Sequence, residues 1–266
     1  MNLRWLKILQ NVKRTPEVVN AVSRLEEWQH VLRAYLQFGA VPYPLTFSTR
    51  SGITIEIDNF DELVTAWVVF CRDEYIVPTN AELILDVGAN YGAFLLLAAS
   101  AAPQAQIFSL EPFPATFTKL QKNNERNQFS NRIHPYKLAL AAVSGSAKMD
   151  LSPELGSHLR ALAPDSSQSP QTEVPAISLN DLIASVLNES GRERIDLFKM
   201  DIEGGEHSAL MTVQPELLNR IARWQMEYHP NGPRKSLFAR LEEAGLRCVK
   251  DIKLGEDYGV AHFTTH

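Results

Sequence analysis

From residue 83 onward the chain alternates short apolar runs with segments of helical spacing. The runs 83–88, 106–111, 133–140, 195–201 and 221–228 are interleaved with helical patterns over 93–101, 115–127 and 234–244, and two further runs follow at 247–253 and 259–264. This order predicts a doubly wound α/β domain with a mostly parallel, Rossmann-like sheet of seven strands, the last two forming a closing hairpin-like pair. Ahead of it, Pro16 suits the first turn of a helix over 17–38, where Val18, Val22, Leu25, Leu32 and Leu36 recur at helical spacing and Gly39 stops the run. Ile53, Ile55 and Ile57 alternate with Thr54 and Glu56 as a half-buried strand, and 60–71 returns to helical spacing. The expected division is an N-terminal helical and strand extension over 1–72, for lid, packing or oligomer contacts, and a ligand-binding domain over 73–266. Residues 152–175, rich in Ser, Pro and Gln, read as a loop between the third and fourth strands, either inert or close enough to the ligand crevice to cover a substrate.

The first of these strands runs into Asp86-Val87-Gly88-Ala89-Asn90-Tyr91-Gly92 and then an apolar helix, the arrangement of a nucleotide-cradling turn. Asn90 stands where a dinucleotide fingerprint needs its second glycine to approach pyrophosphate, so the expected ligand has none. The second strand ends at Glu111, 111 − 92 = 19 residues past Gly92, placed to accept hydrogen bonds from ribose hydroxyls. Adenosine without pyrophosphate points to S-adenosylmethionine.

Composition narrows the picture further. A 45% hydrophobic content over 266 residues supports a sizeable core, and a formal charge of −5 argues against nucleic acid as the main partner. Cys71 and Cys248 lie far apart in apolar surroundings without metal-ligand spacing, and read as buried thiols in a reducing compartment. No apolar run is long enough to span a membrane and no secretory signal is evident, so a cytoplasmic protein is expected. Residues 1–14 place Leu3, Leu6, Ile8 and Leu9 among Arg4, Lys7, Lys13 and Arg14; this short basic amphipathic pattern suits either peripheral membrane contact or packing on the body or a partner chain.

The fourth strand leads into Asp201, Glu203, Glu206 and His207, and the fifth ends on Glu227 and His229. Clustered carboxylates repel one another and call for a cation, a shared proton or a donor-rich ligand. Asp201, Glu203, Glu227 and His229 are the candidate catalytic residues. His229 would serve as a metal-free base titrating near its ordinary value; alternatively Asp201, Glu203 and Glu227 would hold a divalent metal.

These motifs together resemble the FkbM-type methyltransferases: the 86–92 turn, Glu111-Pro112, 123–131, the segment Ile195-Asp196-Leu197-Phe198-Lys199-Met200-Asp201-Ile202-Glu203-Gly204-Gly205-Glu206, Glu227-Tyr228-His229, and the acidic-Tyr element Asp73-Glu74-Tyr75. The likeness spans about residues 75–230, with Asn180-Asp181 where the family commonly has Asp-Asp and Gly205 in place of its usual Ala. It implies O-methylation of sugar or polyketide hydroxyls on a seven-stranded methyltransferase sheet. Cofactor contacts are then expected from Tyr75, Asp86, Gly88, Ala89, Asn90, Gly92, Glu111, Pro112 and Asp201, with Ala139 and Leu140 closing the third strand. A nicotinamide-dependent oxidoreductase is the main alternative, opposed by Asn90 and by the lack of a Tyr-x-x-x-Lys pair. A catalytically silent cofactor-binding module is the other, opposed by the carboxylate cluster.

Overall fold

The computed structural model describes residues 14–150 and 171–265, so the basic N-terminal segment and most of the Ser/Pro-rich loop lie outside the described residues. The chain divides into two compact units, Met1–Ile76 and Val77–His266.

The first unit contains α1 (Thr15–Arg24), α2 (Trp28–Tyr35), β1 (Leu45–Ser48), β2 (Thr54–Ile57) and α3 (Phe60–Cys71), with β1 and β2 paired antiparallel. The single helix expected over 17–38 is therefore two. Helical spacing loses at Leu25, which turns extended (φ −102°, ψ 140°) and forms a β-bridge with Thr49. There the Glu26 N–H donates to the Ser48 carbonyl at 2.9 Å and the Arg50 N–H to that of Arg24 at 2.8 Å, while the Leu25 side chain stays buried. Asn59 caps α3 by accepting from the Glu62 N–H at 3.0 Å. Tyr35 stacks on Trp67 with ring centroids 4.2 Å apart.

The second unit is built on β3 (Leu83–Val87), β4 (Gln106–Leu110), β5 (Ile133–Tyr136), β9 (Leu197–Met200), β10 (Arg223–Tyr228), β11 (Arg247–Lys253) and β12 (Gly259–Thr264), in the spatial order β11-β12-β10-β9-β3-β4-β5. All run parallel except β12, which is antiparallel to both neighbours. The order reverses between β3 and β9, and that switch point opens the ligand crevice of a doubly wound sheet. Helices α4 (Ala93–Ala101), α5 (Pro114–Arg126), α6 (Leu179–Ser190), α7 (Glu206–Met211), α8 (Pro215–Leu218) and α9 (Arg234–Glu243) accompany it. Every residue of β3 and β9 is buried, as expected of strands covered on both faces.

Two expectations change here. The run 133–140 is not one strand: after Tyr136 the chain leaves the main sheet and resumes as β6 (Ala139–Ala141) in a three-stranded sheet with β7 (Gly145–Asp150) and β8 (Gln171–Ser178), in the order β6-β8-β7. Residues 171–175, assigned to the loop, belong to β8, where Val174 and Ala176 are buried alternately. Pro175 and the polar neighbours mask that short alternation in the sequence. Cys71 is buried as expected, whereas Cys248 is only half-buried, and both are free thiols. Among the described residues, no helix is long and apolar enough to cross a membrane.

Two of the buried strand residues carry charge. The Lys199 ammonium in β9 lies 3.3 Å from an Asp86 carboxylate oxygen in β3, with both side chains almost fully buried. Removing one member of such a pair leaves an uncompensated charge in the core. Lys199→Met is therefore expected to lower unfolding free energy by about 3–5 kcal/mol in urea titrations. Adding Asp86→Asn should recover most of that loss, and equal stability of Lys199→Met and the parent chain would contradict the pairing.

Candidate active site

The turn after β3 owes its shape to backbone that most residues avoid. Gly88 has φ +77°, Asn90 +51° and Gly92 +95°. A Cβ on Gly88 would lie 1.6 Å from the Asp201 carbonyl oxygen, so the position needs glycine for space as well as for its dihedral angle. The Gly88 and Ala89 N–H groups donate to the Leu110 carbonyl at 3.1 and 2.9 Å, and Lys199 donates to the Gly88 carbonyl at 2.8 Å. Asn90 accepts from the Tyr91 N–H at 2.8 Å, and Asn123 in α5 donates to the Tyr91 carbonyl at 3.0 Å.

Glu111, beyond β4, is 5% exposed, and its two carboxylate oxygens accept from the Asn90 N–H at 3.0 Å and the Phe113 N–H at 2.9 Å. Burial pushes this carboxyl up to about 7, against the lowering effect of those two donors. It faces a cleft lined by Gly88, Asn90, Pro112 and Phe113, by Leu138, Ala139, Leu140 and Met149, and by Asp201, Ile202 and Glu203 beyond β9. Of the expected cofactor contacts, Gly88, Asn90, Glu111, Pro112, Ala139, Leu140 and Asp201 line this cleft. Ala89 is buried within the turn, Gly92 is the N-cap of α4, and Asp86 is wholly buried against Lys199. Tyr75 is buried in the first unit.

The expected catalytic residues form a connected charge cluster. His229 contacts Glu203 through Nε2 at 3.2 Å and Glu206 through Nδ1 at 3.1 Å, with a Glu227 oxygen 4.0 Å from Nε2. Glu206, 1% exposed, also accepts from the Ile202 and Gly204 N–H groups at 3.1 and 3.2 Å, so it fixes both the imidazole and the turn after β9. Asp201 lies 3.7 Å from the Lys199 ammonium. Glu227 accepts from the Tyr258 hydroxyl at 2.8 Å.

This geometry bears on the expectation that His229 titrates near its ordinary value. Burial lowers its pKa, but the hydrogen bonds to Glu203 and Glu206 outweigh burial and push it up to about 11, so the ring is an imidazolium at neutral pH. Glu227 moves the other way from ordinary carboxylates: burial first, then the Asp201 charge, raise it to about 8. Among the described residues, Asp201, Glu203 and His229 bring ligand atoms within 4.8 Å of one another, joining the imidazole to two of the three carboxylates expected to hold a metal.

The roles of Tyr258 and Glu206 escape a reading by sequence spacing. Tyr258 belongs to the hairpin between β11 and β12, 31 residues from its partner Glu227. Glu206 reads as an ordinary acidic residue at a helix start until His229 is placed beside it. Of the two departures from the family pattern, Asn180 donates to the Thr212 carbonyl at 3.1 Å and accepts from the Gln214 N–H at 2.8 Å, a double role that an aspartate could not fill. A Cβ at Gly205 would meet only the flexible end of Ile202, at 2.8 Å.

Residues 86–248 match the family described as the methyltransferase FkbM domain. The chain is similar to the methyltransferase sdnD of Sordaria araneosa, 25% identical over 206 residues covering 68% of this chain and 79% of that protein. It is 28% identical to the 31-O-demethyl-FK506 methyltransferase FkbM of Streptomyces tacrolimicus (77% of this chain, 90% of that protein) and 27% identical to the hexuronic acid methyltransferase AglP of Haloferax volcanii (91% and 96%). Among solved structures, methyltransferase FkbM from Methylobacillus flagellatus KT aligns with a TM-score of 0.49 at 13% identity, over 97% of this chain and 60% of that one.

Gly88→Ala tests the turn. The added methyl must displace the backbone at Asp201 and adopt a left-handed dihedral, which is expected to cost more than about 3 kcal/mol in urea unfolding. Unchanged stability would mean that the close approach of Gly88 to Asp201 is not present in solution.

Proposed function

The chain belongs to the FkbM methyltransferase domain family, and on that premise we propose that it is an S-adenosylmethionine-dependent O-methyltransferase acting on a hydroxyl of a glycan, glycolipid or secondary metabolite. The observation that carries the cofactor assignment is Glu111, a buried carboxylate that braces the glycine turn and faces the cleft. Each of its oxygens accepts one backbone N–H and keeps a lone pair for a ribose hydroxyl. Asp201 and Glu203 line the same cleft and place carboxyl groups where a cationic sulfonium would lie. When bound, S-adenosylmethionine supplies an electrophilic methyl group. The relatives that act on 31-O-demethyl-FK506 and on hexuronic acid support an acceptor that is a secondary metabolite or a sugar.

The protein's own part in the reaction is to align the acceptor hydroxyl and take its proton as the oxygen–carbon bond forms. Glu227 is the base in this reading. Its raised pKa keeps it a stronger proton acceptor than a surface carboxylate, while His229 holds its proton between Glu203 and Glu206. A divalent ion, if bound, would be held by Asp201, Glu203 and His229 at the cost of the imidazole proton, and would supply Lewis-acid chemistry at the acceptor hydroxyl.

Two measurements check this function. At a ligand concentration of about 100 times Kd, S-adenosylmethionine should stabilise the protein by about 2.7 kcal/mol, raising Tm by about 5–10 °C, and NAD should not. Glu111→Ala should weaken cofactor binding about 100-fold, through loss of two charge-assisted bonds. A shift with NAD alone, or unchanged affinity in Glu111→Ala, would overturn the assignment.

Turnover is best followed with labelled S-adenosylmethionine against a panel of hexuronic acid glycosides and polyketide secondary alcohols. Because the base must be deprotonated to act, activity should rise with pH through about 8, the value set by Glu227. Glu227→Gln should lower kcat by about 100- to 10,000-fold while leaving cofactor affinity unchanged, and chelators should have no effect. Full activity in Glu227→Gln, or loss under chelator with restoration by Mn²⁺, would replace the base or bring in a metal.

A further inference from the structure

We propose that Tyr258 is a positioning residue for methyl transfer, holding Glu227 in the orientation from which it accepts the acceptor's proton. Its hydroxyl donates to a Glu227 oxygen at 2.8 Å, and its ring lies against His229, with centroids 5.4 Å apart at an angle of 35°. Tyr258 therefore fixes one carboxylate oxygen and leaves the other to the acceptor. Without that bond, the nearest charges would decide where the carboxylate goes. His229 would draw it inward from 4.0 Å, and Asp201 and Glu203 would repel it. Lys199 also interacts electrostatically with Glu227.

The backbone is built to deliver this residue. Tyr258 stands just ahead of β12, whose first residue Gly259 pairs with Tyr228, so the register brings it beside His229. Gly259 permits the approach: a Cβ there would lie 2.4 Å from the Ile252 carbonyl oxygen and 2.6 Å from the Tyr228 hydroxyl. Tyr258 also lies beyond the segment that matches the family, 86–248.

The inference rests on Glu227 being the base, and the test separates the two. Tyr258→Phe, Glu227→Gln and the double variant are compared with the parent protein, using the best acceptor of the panel above. If no panel member reacts, water serves as the nucleophile, and release of methanol and S-adenosylhomocysteine is measured. Tyr258→Phe alone should lower kcat about 10- to 100-fold, with cofactor Kd and acceptor KM changed less than about 2-fold. In the Glu227→Gln background the same change should cost less than about 2-fold, because the residue it acts through is gone. A stability cycle of Tyr258→Phe against Glu227→Leu, which removes the acceptor that glutamine would keep, should show non-additivity in denaturant unfolding without ligand and so read the hydrogen bond independently of turnover. If Glu227→Gln is inactive while Tyr258→Phe retains full kcat, or if the two losses multiply independently, the positioning role is wrong and the base assignment stands. If Glu227→Gln is fully active, the base assignment fails first.

Discussion

The buried ammonium of Lys199 is the interaction on which the rest of the ligand-binding unit depends. It joins two adjacent parallel strands through Asp86, donates to the carbonyl of Gly88 in the turn, and lies within 3.7 Å of Asp201 at the cleft. A lysine is rarely tolerated at such depth unless anions surround it. Here burial works against its charge, but Asp86 and Asp201 outweigh that effect and hold its pKa up. The ion pair is weak evidence of net stability, since two buried charges lose hydration that their attraction only partly offsets. It does fix geometry: moving the Gly88 turn relative to Asp201 would break a hydrogen bond and an ion pair together.

The same logic of partnered charge runs outward along the rim. His229 is gripped on both ring nitrogens by carboxylates, and Glu206, the deepest of these, is also bound by two backbone N–H groups. That second anchorage makes Glu206 a poor candidate for chemistry and a good one for support. Glu227, bound by a neutral hydroxyl and repelled by Asp201, is the carboxylate whose pKa is moved toward the working pH. The proposed division of labour follows from those environments, because chemically similar acidic residues were given different partners.

Much of the ligand-binding unit was legible in the sequence because its signals are local. Continuous apolar runs identify strands buried on both faces, and all seven strands of the main sheet lie within the runs that predict them. The glycine turn and Glu111 could be read from spacing, since a strand, a tight turn and the next strand end are joined by short connections. Where the reading failed, a distant partner had overruled a local pattern. Leu25 keeps helical spacing but pairs with Thr49, and Ala139 looks like the continuation of a strand but pairs with Ala176. In both cases backbone hydrogen bonds to a segment more than twenty residues away outweigh a weak periodic preference.

By itself, then, the sequence determined the α/β class, the position of the turn and which side chains carry charge near it, because these follow from periodicity and residue chemistry. Only the tertiary structure decided what those charges are. His229 reads as a free imidazole in sequence, and its pKa is raised because Glu203 and Glu206 arrive from another segment of the chain. Asp86, expected at the cofactor from its place before the turn, gains Lys199 of a distant strand as its counter-ion. Glu227 acquires Tyr258 through the register of an antiparallel strand pair. Protonation states and hydrogen-bond partners depend on burial and on separations of a few ångströms between residues far apart in the chain, and a linear pattern does not encode those distances.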